Sequence, residues 1–122
     1  MDRTEFEDLV RGALDDLPEE FAQRLDNVAV VVEDEPDAAL LRSLGLNPRR
    51  YTLFGLYQGV PLTHRGASYG NVLPDKISIY YGPLLRHCRT PEQMRRQVRT
   101  TVVHEIAHHV GMDDAAIRDL GY

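Results

Sequence analysis

Apolar and polar residues near the start of the chain alternate with the period of an amphipathic helix. The segment Thr4-Glu5-Phe6-Glu7 has the form of a capping box, which predicts that this helix begins there. Pro18 interrupts the pattern and favours the start of a second short helix, which ends before Asp26-Asn27. The apolar positions of these two helices are Phe6, Leu9, Val10, Ala13, Leu14, Leu17, Phe21, Ala22 and Leu25.

The pattern then changes to that of strands. Val28-Ala29-Val30-Val31-Val32 is apolar throughout and rich in β-branched residues, so we predict a central strand covered on both faces. Residues 51–59 predict a second strand, with a glycine that marks a bulge or a close backbone contact. Lys76 to Tyr81 alternates polar and apolar residues and predicts a third strand, which Gly82-Pro83 ends.

Helix signals occupy much of the remaining sequence. Ala38 to Leu44 predicts a short helix closed by Gly45, and residues 61–74 predict an exposed loop. Thr90-Pro91-Glu92-Gln93 combines an N-cap, a proline at the first helical position and a capping-box glutamine. A long helix should therefore run from about residue 91 to His109 or Val110. We expect one α/β (α+β) domain over residues 1–122, with a small twisted sheet packed on the long helix and the N-terminal helices.

The composition is that of an ordinary globular protein and excludes several classes of function. Of 122 residues, 43% are hydrophobic and 27% charged. The net charge of −5 has the wrong sign for a protein that binds nucleic acid through its overall field. Cys88 has no second cysteine to pair with, and the acidic start of the chain lacks the form of a secretory signal, so we expect a cytoplasmic protein. The longest apolar stretch is far shorter than the roughly 20 residues that a membrane-spanning helix needs.

The residues that carry chemistry lie at the end of the predicted long helix. His104 and His108 are four residues apart and share one helical face, where two imidazole nitrogens can bind one zinc ion. Glu105 lies beside that pair, so its carboxylate can take a proton from a zinc-bound water and return it to the leaving amine. A catalytic zinc ion keeps one position for water and needs a third protein ligand.

Asp114 is the predicted third ligand. Gly111 permits the sharp change of direction that ends the helix, and Asp114, six residues after His108, can then return a carboxylate to the metal. The neighbouring Asp113 is the alternative ligand, although it is better suited to cap a short final helix.

The segment HEIAHHVGMDD resembles the elongated zinc signature of metzincin peptidases, as HExxHxxGxxD with Asp in place of the usual third histidine. Nearly the whole chain resembles a family of small bacterial, often actinobacterial, zinc metallopeptidases with a minimal zincin-like fold. The segments that carry this wider resemblance are EFEDLVRGALDDLPEEFAQRLDNVAVVVEDEP, GLYQGVPLTHR and LPDKISIYYGPLLR. The resemblance implies one Zn²⁺ held by His104, His108 and Asp114, with Glu105 as the catalytic residue of a peptidase.

The resemblance also indicates how a substrate would bind. In larger zincins an edge strand near the active-site helix pairs with the substrate backbone, and Lys76 to Tyr81 is the candidate here by its order along the chain. Because eight residues follow Asp114, we expect no downstream Met-turn and no C-terminal subdomain like those of ordinary metzincins, and hence no far wall of a deep cleft. We also expect a monomer that acts on a peptide or protein substrate.

Other titratable residues receive simpler interpretations. His109 points about 100° away from His108 around the helix, so we expect a supporting or surface role for it. His64 and His87 lack motif spacing and are not assigned, and Cys88 is expected to be a small buried apolar group. Three tyrosines are candidate oxyanion donors, among which the sequence does not choose: Tyr57, Tyr80 and Tyr122.

Three alternative interpretations accompany the peptidase. A cluster of arginines is either a solvated surface or a phosphate-binding patch: Arg86, Arg89, Arg95, Arg96 and Arg99. The phosphate patch would suit a metal-dependent endoribonuclease, since one bacterial family of these enzymes has a similar His-x3-His-x5-His spacing, whereas Glu105 favours peptide hydrolysis. A second alternative is a zinc-binding module without turnover. The third is that the predicted long helix is purely structural. In that case His104 and His108 are polar residues of a packed helix whose core face is formed by Val98, Val102, Ile106 and Val110.

Overall fold

A computed structural model describes residues 1–59 and 74–122 of the chain. Within these ranges the chain forms six α-helices, a short 3-10 turn (Gln23–Leu25) and a three-stranded sheet. The helices are α1 (Arg3–Asp15), α2 (Glu19–Ala22), α3 (Ala38–Ser43), α4 (Tyr81–His87), α5 (Pro91–His109) and α6 (Asp114–Asp119). The strands are β1 (Val28–Glu33), β2 (Gly55–Gln58) and β3 (Asp75–Tyr80). The mixed α/β class predicted from the sequence is confirmed.

The order of the strands corrects two predictions. The sheet has the order β1-β3-β2, with β1 parallel and β2 antiparallel to β3. Among the described strands, the Val28–Val32 segment therefore lies at an edge of the sheet, and every residue of β1 is only half-buried. The Lys76–Tyr81 segment corresponds to the central strand β3, whose two edges are already paired, so it cannot be the strand that receives a substrate. Apolar composition indicates that a strand is covered, but it does not indicate which strands lie beside it.

Helix α5 forms the main apolar contact with both the sheet and α1. Its buried residues are Met94, Val98, Thr101, Val102, Val103, Ile106 and Ala107. All of them except Thr101 pack in one cluster with Phe6, Val10 and Ala13 of α1 and with Ile77 and Ile79 of β3. Val110, expected on the core face, is 42% exposed because the helix ends one residue before it. The HExxH segment is thus held on a helix whose opposite side is anchored in the core.

Helix ends agree with the sequence at α3 and differ from it at α1 and α4. Helix α1 is capped by Asp2, whose side chain accepts from the Glu5 N–H, and not by Thr4. Gly45 has φ +79° and closes α3 as predicted. The sequence predicts that Gly82-Pro83 ends a strand, but these residues also lie in the first turn of α4. Proline is tolerated in the first turn of a helix.

Residues 60–73, which include His64 and nearly all of the predicted 61–74 loop, lie outside the described residues. In the two described ranges, no helix has the length and apolar character needed to cross a bilayer.

Gly55 is the point at which β2 and α5 lie closest together. A Cβ atom added at Gly55 would stand 2.7 Å from Thr101 Cγ2 and 2.9 Å from the Ser78 carbonyl oxygen. Both distances are shorter than real Cβ contacts allow, and the second partner is backbone that cannot rotate away. Of the two interpretations of a strand glycine, the close backbone contact is the correct one.

We expect Gly55→Ala to destabilise the fold by about 1–3 kcal/mol, because the extra methyl overpacks the contact between strand and helix. Gly59→Ala is the matched control, since a Cβ at Gly59 meets its nearest atom at an ordinary 3.4 Å. Urea unfolding of both variants measures the difference. Equal midpoints for the two variants would contradict close packing at Gly55.

Candidate metal centre

The C-terminal end of α5 is closed by a glycine cap that sets the direction of the following chain. Gly111 has φ +87°, and its N–H donates to the His108 carbonyl oxygen at 3.1 Å. The Met112 N–H donates to the Ala107 carbonyl oxygen at 2.8 Å. This pair of hydrogen bonds is a Schellman motif, in which a left-handed glycine satisfies the last helical carbonyls. The chain then starts α6 at Asp114, beside the helix end that it has just left.

The two motif histidines and Asp114 lie next to one another. The ring centroids of His104 and His108 are 5.9 Å apart, as expected for residues one helical turn apart on the same face. His108 Nε2 lies 3.0 Å from Asp114 Oδ1. This contact holds the pKa of the Asp114 carboxyl below its usual value, because the His108 hydrogen bond stabilises the charged form.

Asp113 has a different role from its neighbour. Its side chain accepts from the Ala116 N–H at 2.8 Å and caps α6. The expectation that Asp113 is an N-cap is therefore confirmed. Because the cap already uses the Asp113 carboxylate, Asp114 is the acidic side chain that faces the histidines.

Glu105 points from α5 toward the edge of the sheet. Its Oε1 accepts from the Tyr57 N–H of β2 at 3.1 Å. Burial raises the pKa of the Glu105 carboxyl above its usual range, while the Tyr57 hydrogen bond and the nearby imidazoles oppose this shift. A half-buried carboxylate with a raised pKa is suited to exchange protons nearer neutral pH than an exposed one.

A family model for zincin-like metallopeptidases matches residues 25–122. The chain belongs to the zincin-like metallopeptidase family. It is also similar in structure to a conserved hypothetical protein from Thermus thermophilus, with a TM-score of 0.55 and 24% sequence identity. That match covers 89% of this chain and 94% of the other, and it establishes a common fold alone. No curated protein gives a significant match.

The donor chemistry at the end of α5 fits the zinc ion that a zincin-like family implies. Two imidazoles and a carboxylate supply the nitrogen and oxygen ligands that catalytic zinc accepts. His108 and Asp114 are in contact, but His104 Nε2 lies 3.3 Å from the Tyr122 backbone oxygen. Among the described residues, no three His, Cys, Asp or Glu side chains lie close enough to hold an ion as they stand. Binding would therefore require these three side chains to move closer together.

His109 belongs to a second cluster on the sheet side of α5. Its ring stacks on Tyr57 with centroids 3.9 Å apart and planes 19° apart. The Tyr57 hydroxyl donates to Asp75 Oδ2 at 2.6 Å, and His109 Nε2 lies 3.8 Å from the same oxygen. The expectation of a supporting role for His109 is thus matched by contacts that connect α5, β2 and β3 beside Glu105.

The three candidate oxyanion donors lie in different surroundings. The Tyr57 hydroxyl is bound to Asp75, and Tyr80 is 2% exposed in the interior. The Tyr122 ring packs edge-on against Phe21, with centroids 6.4 Å apart, while its backbone oxygen meets His104. The sequence pointed to the tyrosine rings, whereas the backbone groups of Tyr57 and Tyr122 are what contact the motif.

His87 and Cys88 lie away from the histidine pair. The His87 ring lies 4.9 Å from the Phe54 ring at the end of α4. Cys88 is buried, as expected, and burial raises the pKa of its thiol. A buried, protonated thiol does not act as a nucleophile, so Cys88 has a structural role.

The Tyr57 amide should report the ionisation of Glu105 in the metal-free protein. We expect the Tyr57 N–H chemical shift to titrate with a midpoint above the ordinary glutamate pKa of about 4.3, because burial disfavours the charged carboxylate. Two-dimensional ¹H–¹⁵N NMR from pH 3 to 8 measures it, and Glu105→Gln should abolish the transition. A midpoint at or below the ordinary value would contradict the burial argument.

Proposed function

We propose that this protein is a zinc-dependent peptidase in which His104, His108 and Asp114 hold one Zn²⁺ and Glu105 transfers protons. One observation carries the proposal: the Glu105 carboxylate, next to the imidazole pair, lies 3.1 Å from the Tyr57 N–H on the outer edge of β2. A proton acceptor, metal-capable side chains and a sheet edge that a peptide can join therefore meet at one junction. Membership of a zincin-like metallopeptidase family supports peptide hydrolysis as the reaction.

The outer edge of β2 replaces β3 as the proposed substrate-binding strand. The Tyr80 N–H donates to the Phe54 carbonyl oxygen at 2.9 Å, so this pair faces inward in the antiparallel ladder. By alternation, the backbone groups of Gly55 and Tyr57 face away from β3. In the part of the sheet that is described, β2 pairs with β3 alone. An extended peptide can add along this edge through main-chain hydrogen bonds, and a bond from the Tyr57 N–H to the peptide would replace its present bond to Glu105.

Glu105 is the residue to which we assign proton transfer. Its carboxylate would accept a proton from the water that attacks the peptide carbonyl and then deliver it to the leaving amine. The burial that raises its pKa favours uptake of the proton, while the Tyr57 N–H and the imidazoles keep the carboxylate form accessible and so favour release of the proton to the amine. Zn²⁺, when bound, supplies a Lewis acid that polarises the substrate carbonyl.

The surroundings of the arginine cluster weigh against the endoribonuclease. Arg86 forms two hydrogen bonds with Glu35, at 2.8 and 3.0 Å. Arg95 binds Asp16 through Nε at 3.0 Å, and Arg99 lies 3.9 Å from the same carboxylate. Carboxylates of the chain thus neutralise much of the positive charge that RNA phosphates would need.

The proposed ligand set predicts which substitutions remove the metal. His104→Ala, His108→Ala and Asp114→Ala should each lower bound zinc well below one ion per chain, because each removes a donor. Glu105→Gln should retain zinc and lose turnover, because its carboxylate acts on protons and not on the ion. Elemental analysis after dialysis measures the zinc content.

Asp113→Ala is the matched control for Asp114→Ala. It should lower the free energy of unfolding by about 1 kcal/mol through loss of the α6 cap, yet keep its zinc. Zinc loss in Asp113→Ala with retention in Asp114→Ala would exchange the two assignments. A Glu105→Gln protein that bound no zinc would refute the separation of roles.

Peptidase activity itself is tested by the appearance of new peptide termini. Zinc-loaded wild type and Glu105→Gln are incubated with a denatured protein mixture, and the termini are identified by mass spectrometry. We expect new termini with wild type alone. Identical results for the two proteins would exclude Glu105-dependent hydrolysis of these substrates and favour a zinc-binding module. The same two proteins are also incubated with RNA. Cleavage of RNA by wild type alone would favour the endoribonuclease.

A further inference from the structure

Two depressions adjoin along α5, and the pair is called the groove. The first, of about 330 Å³, lies beside the motif and is lined by residues of β2 and α5 that include Phe54, Gly55, His104 and Glu105. The second, of about 280 Å³, lies between the end of α4 and the first half of α5. Gln97 and Thr100 line both depressions, so the two lie side by side. The residues that complete the second depression are His87, Cys88, Gln93 and Arg96.

Among the described residues that line the second depression, Arg96 is the one arginine or lysine, and none carries a carboxylate. In the described ranges, no carboxylate oxygen lies within ion-pair distance of its guanidinium, in contrast to Arg86, Arg95 and Arg99. An arginine presents a planar fork of N–H donors that matches a carboxylate. The groove therefore offers a cationic group that the chain itself does not neutralise.

The other residues of the second depression supply walls and hydrogen-bond donors. His87, which lines it, packs against Phe54 of the first depression, with ring centroids 4.9 Å apart. Gln93 Oε1 accepts from the Arg89 N–H at 2.9 Å, which leaves the Gln93 amide nitrogen to donate to a ligand. Cys88 is buried, so it provides no anionic thiolate. The chemistry of the depression is that of an anion-binding subsite.

The distance along α5 determines how far this subsite lies from the proposed scissile bond. Arg96 precedes His104 by eight residues of continuous helix. At about 1.5 Å per residue, this separation is about 12 Å. An extended peptide advances about 3.3 Å per residue, so the same distance corresponds to about three or four substrate residues.

We propose that Arg96 is a specificity-determining residue that selects peptides with an acidic side chain three or four residues from the bond placed at Glu105. The position of that bond rests on the proposed function, whereas the preference for a carboxylate rests on the groove. A peptide with one acidic side chain fits better than RNA, because one unpaired guanidinium matches one carboxylate and RNA requires repeated phosphate contacts.

Binding of matched peptides tests this inference without requiring turnover. The peptides are extended, nine residues long and built from neutral residues except at one test position. Each carries a single Glu or a single Gln there, three or four residues to either side of the centre. Their affinities for the Glu105→Gln protein, which cannot cleave them under the proposed mechanism, are measured by ¹⁵N NMR with and without added Zn²⁺. We expect the best Glu peptide to bind about three- to fivefold more tightly than its Gln counterpart. Amide shifts should occur at residues 96–100.

Variants at two arginines identify the group responsible, each in the Glu105→Gln background. Arg96→Gln should remove the preference for Glu, and Arg96→Glu should transfer it to a Lys peptide. Arg89→Gln is the matched control, because Arg89 is also exposed and without an ion pair in the described ranges but does not line the groove. It should keep the preference for Glu.

Several outcomes would overturn the inference. Equal or undetectable binding of the Glu and Gln peptides would show that the groove does not select an acid. An equal loss of the preference for Glu in Arg96→Gln and Arg89→Gln would show that the preference comes from the overall positive charge and not from Arg96 in particular. Tighter, Arg96-dependent binding of a short single-stranded RNA would assign the groove to RNA. A failure to cleave proteins would instead refute the proposed function and leave this binding result intact.

Discussion

The close packing of α5 against β2 is the constraint on which the candidate site depends. Thr101 meets Gly55, Glu105 meets the Tyr57 N–H, and the His109 ring lies 3.4 Å from where a Cβ of Gly59 would stand. Four residues of helix advance about 6 Å and two residues of strand about 7 Å, so the two elements stay in register over these contacts. Because Gly55 lacks a side chain, the helix comes close enough for Glu105 to reach the strand edge.

The same packing places Glu105 in an environment that a free carboxylate would avoid. Partial burial penalises its charge, while the Tyr57 N–H and the two imidazoles compensate for part of that penalty. Asp114, in contrast, is exposed and its charged form is favoured by His108. Two carboxylates at one helix end therefore have pKa shifts of opposite direction, which suits one to proton transfer and the other to ligation.

Of the arginines on the first half of α5, Arg95 and Arg99 lie near a carboxylate of the chain, whereas Arg96 is exposed to solvent. Asp16, at the end of α1, binds Arg95, so it ties the N-terminal helix to α5 across the surface. Glu35 binds Arg86 in the same way at the end of α4. Exposed pairs of this kind add little stability, but they determine which cations stay available to a ligand. Arg96 stays available because neither acidic side chain reaches it.

Local signals in the sequence determined most of the helices, with the exception of α4, and the order of the motif residues along α5. Thr90, Pro91 and Gly111 define the ends of α5, and the four-residue spacing of His104 and His108 puts them on one face, because capping and helical period involve only near neighbours. The sequence could not determine that β3 is central, since composition reports burial but not pairing. Nor could it reveal the contact of Glu105 with Tyr57, 48 residues away, because a backbone N–H has no signature in the sequence and only tertiary packing brings it to the carboxylate.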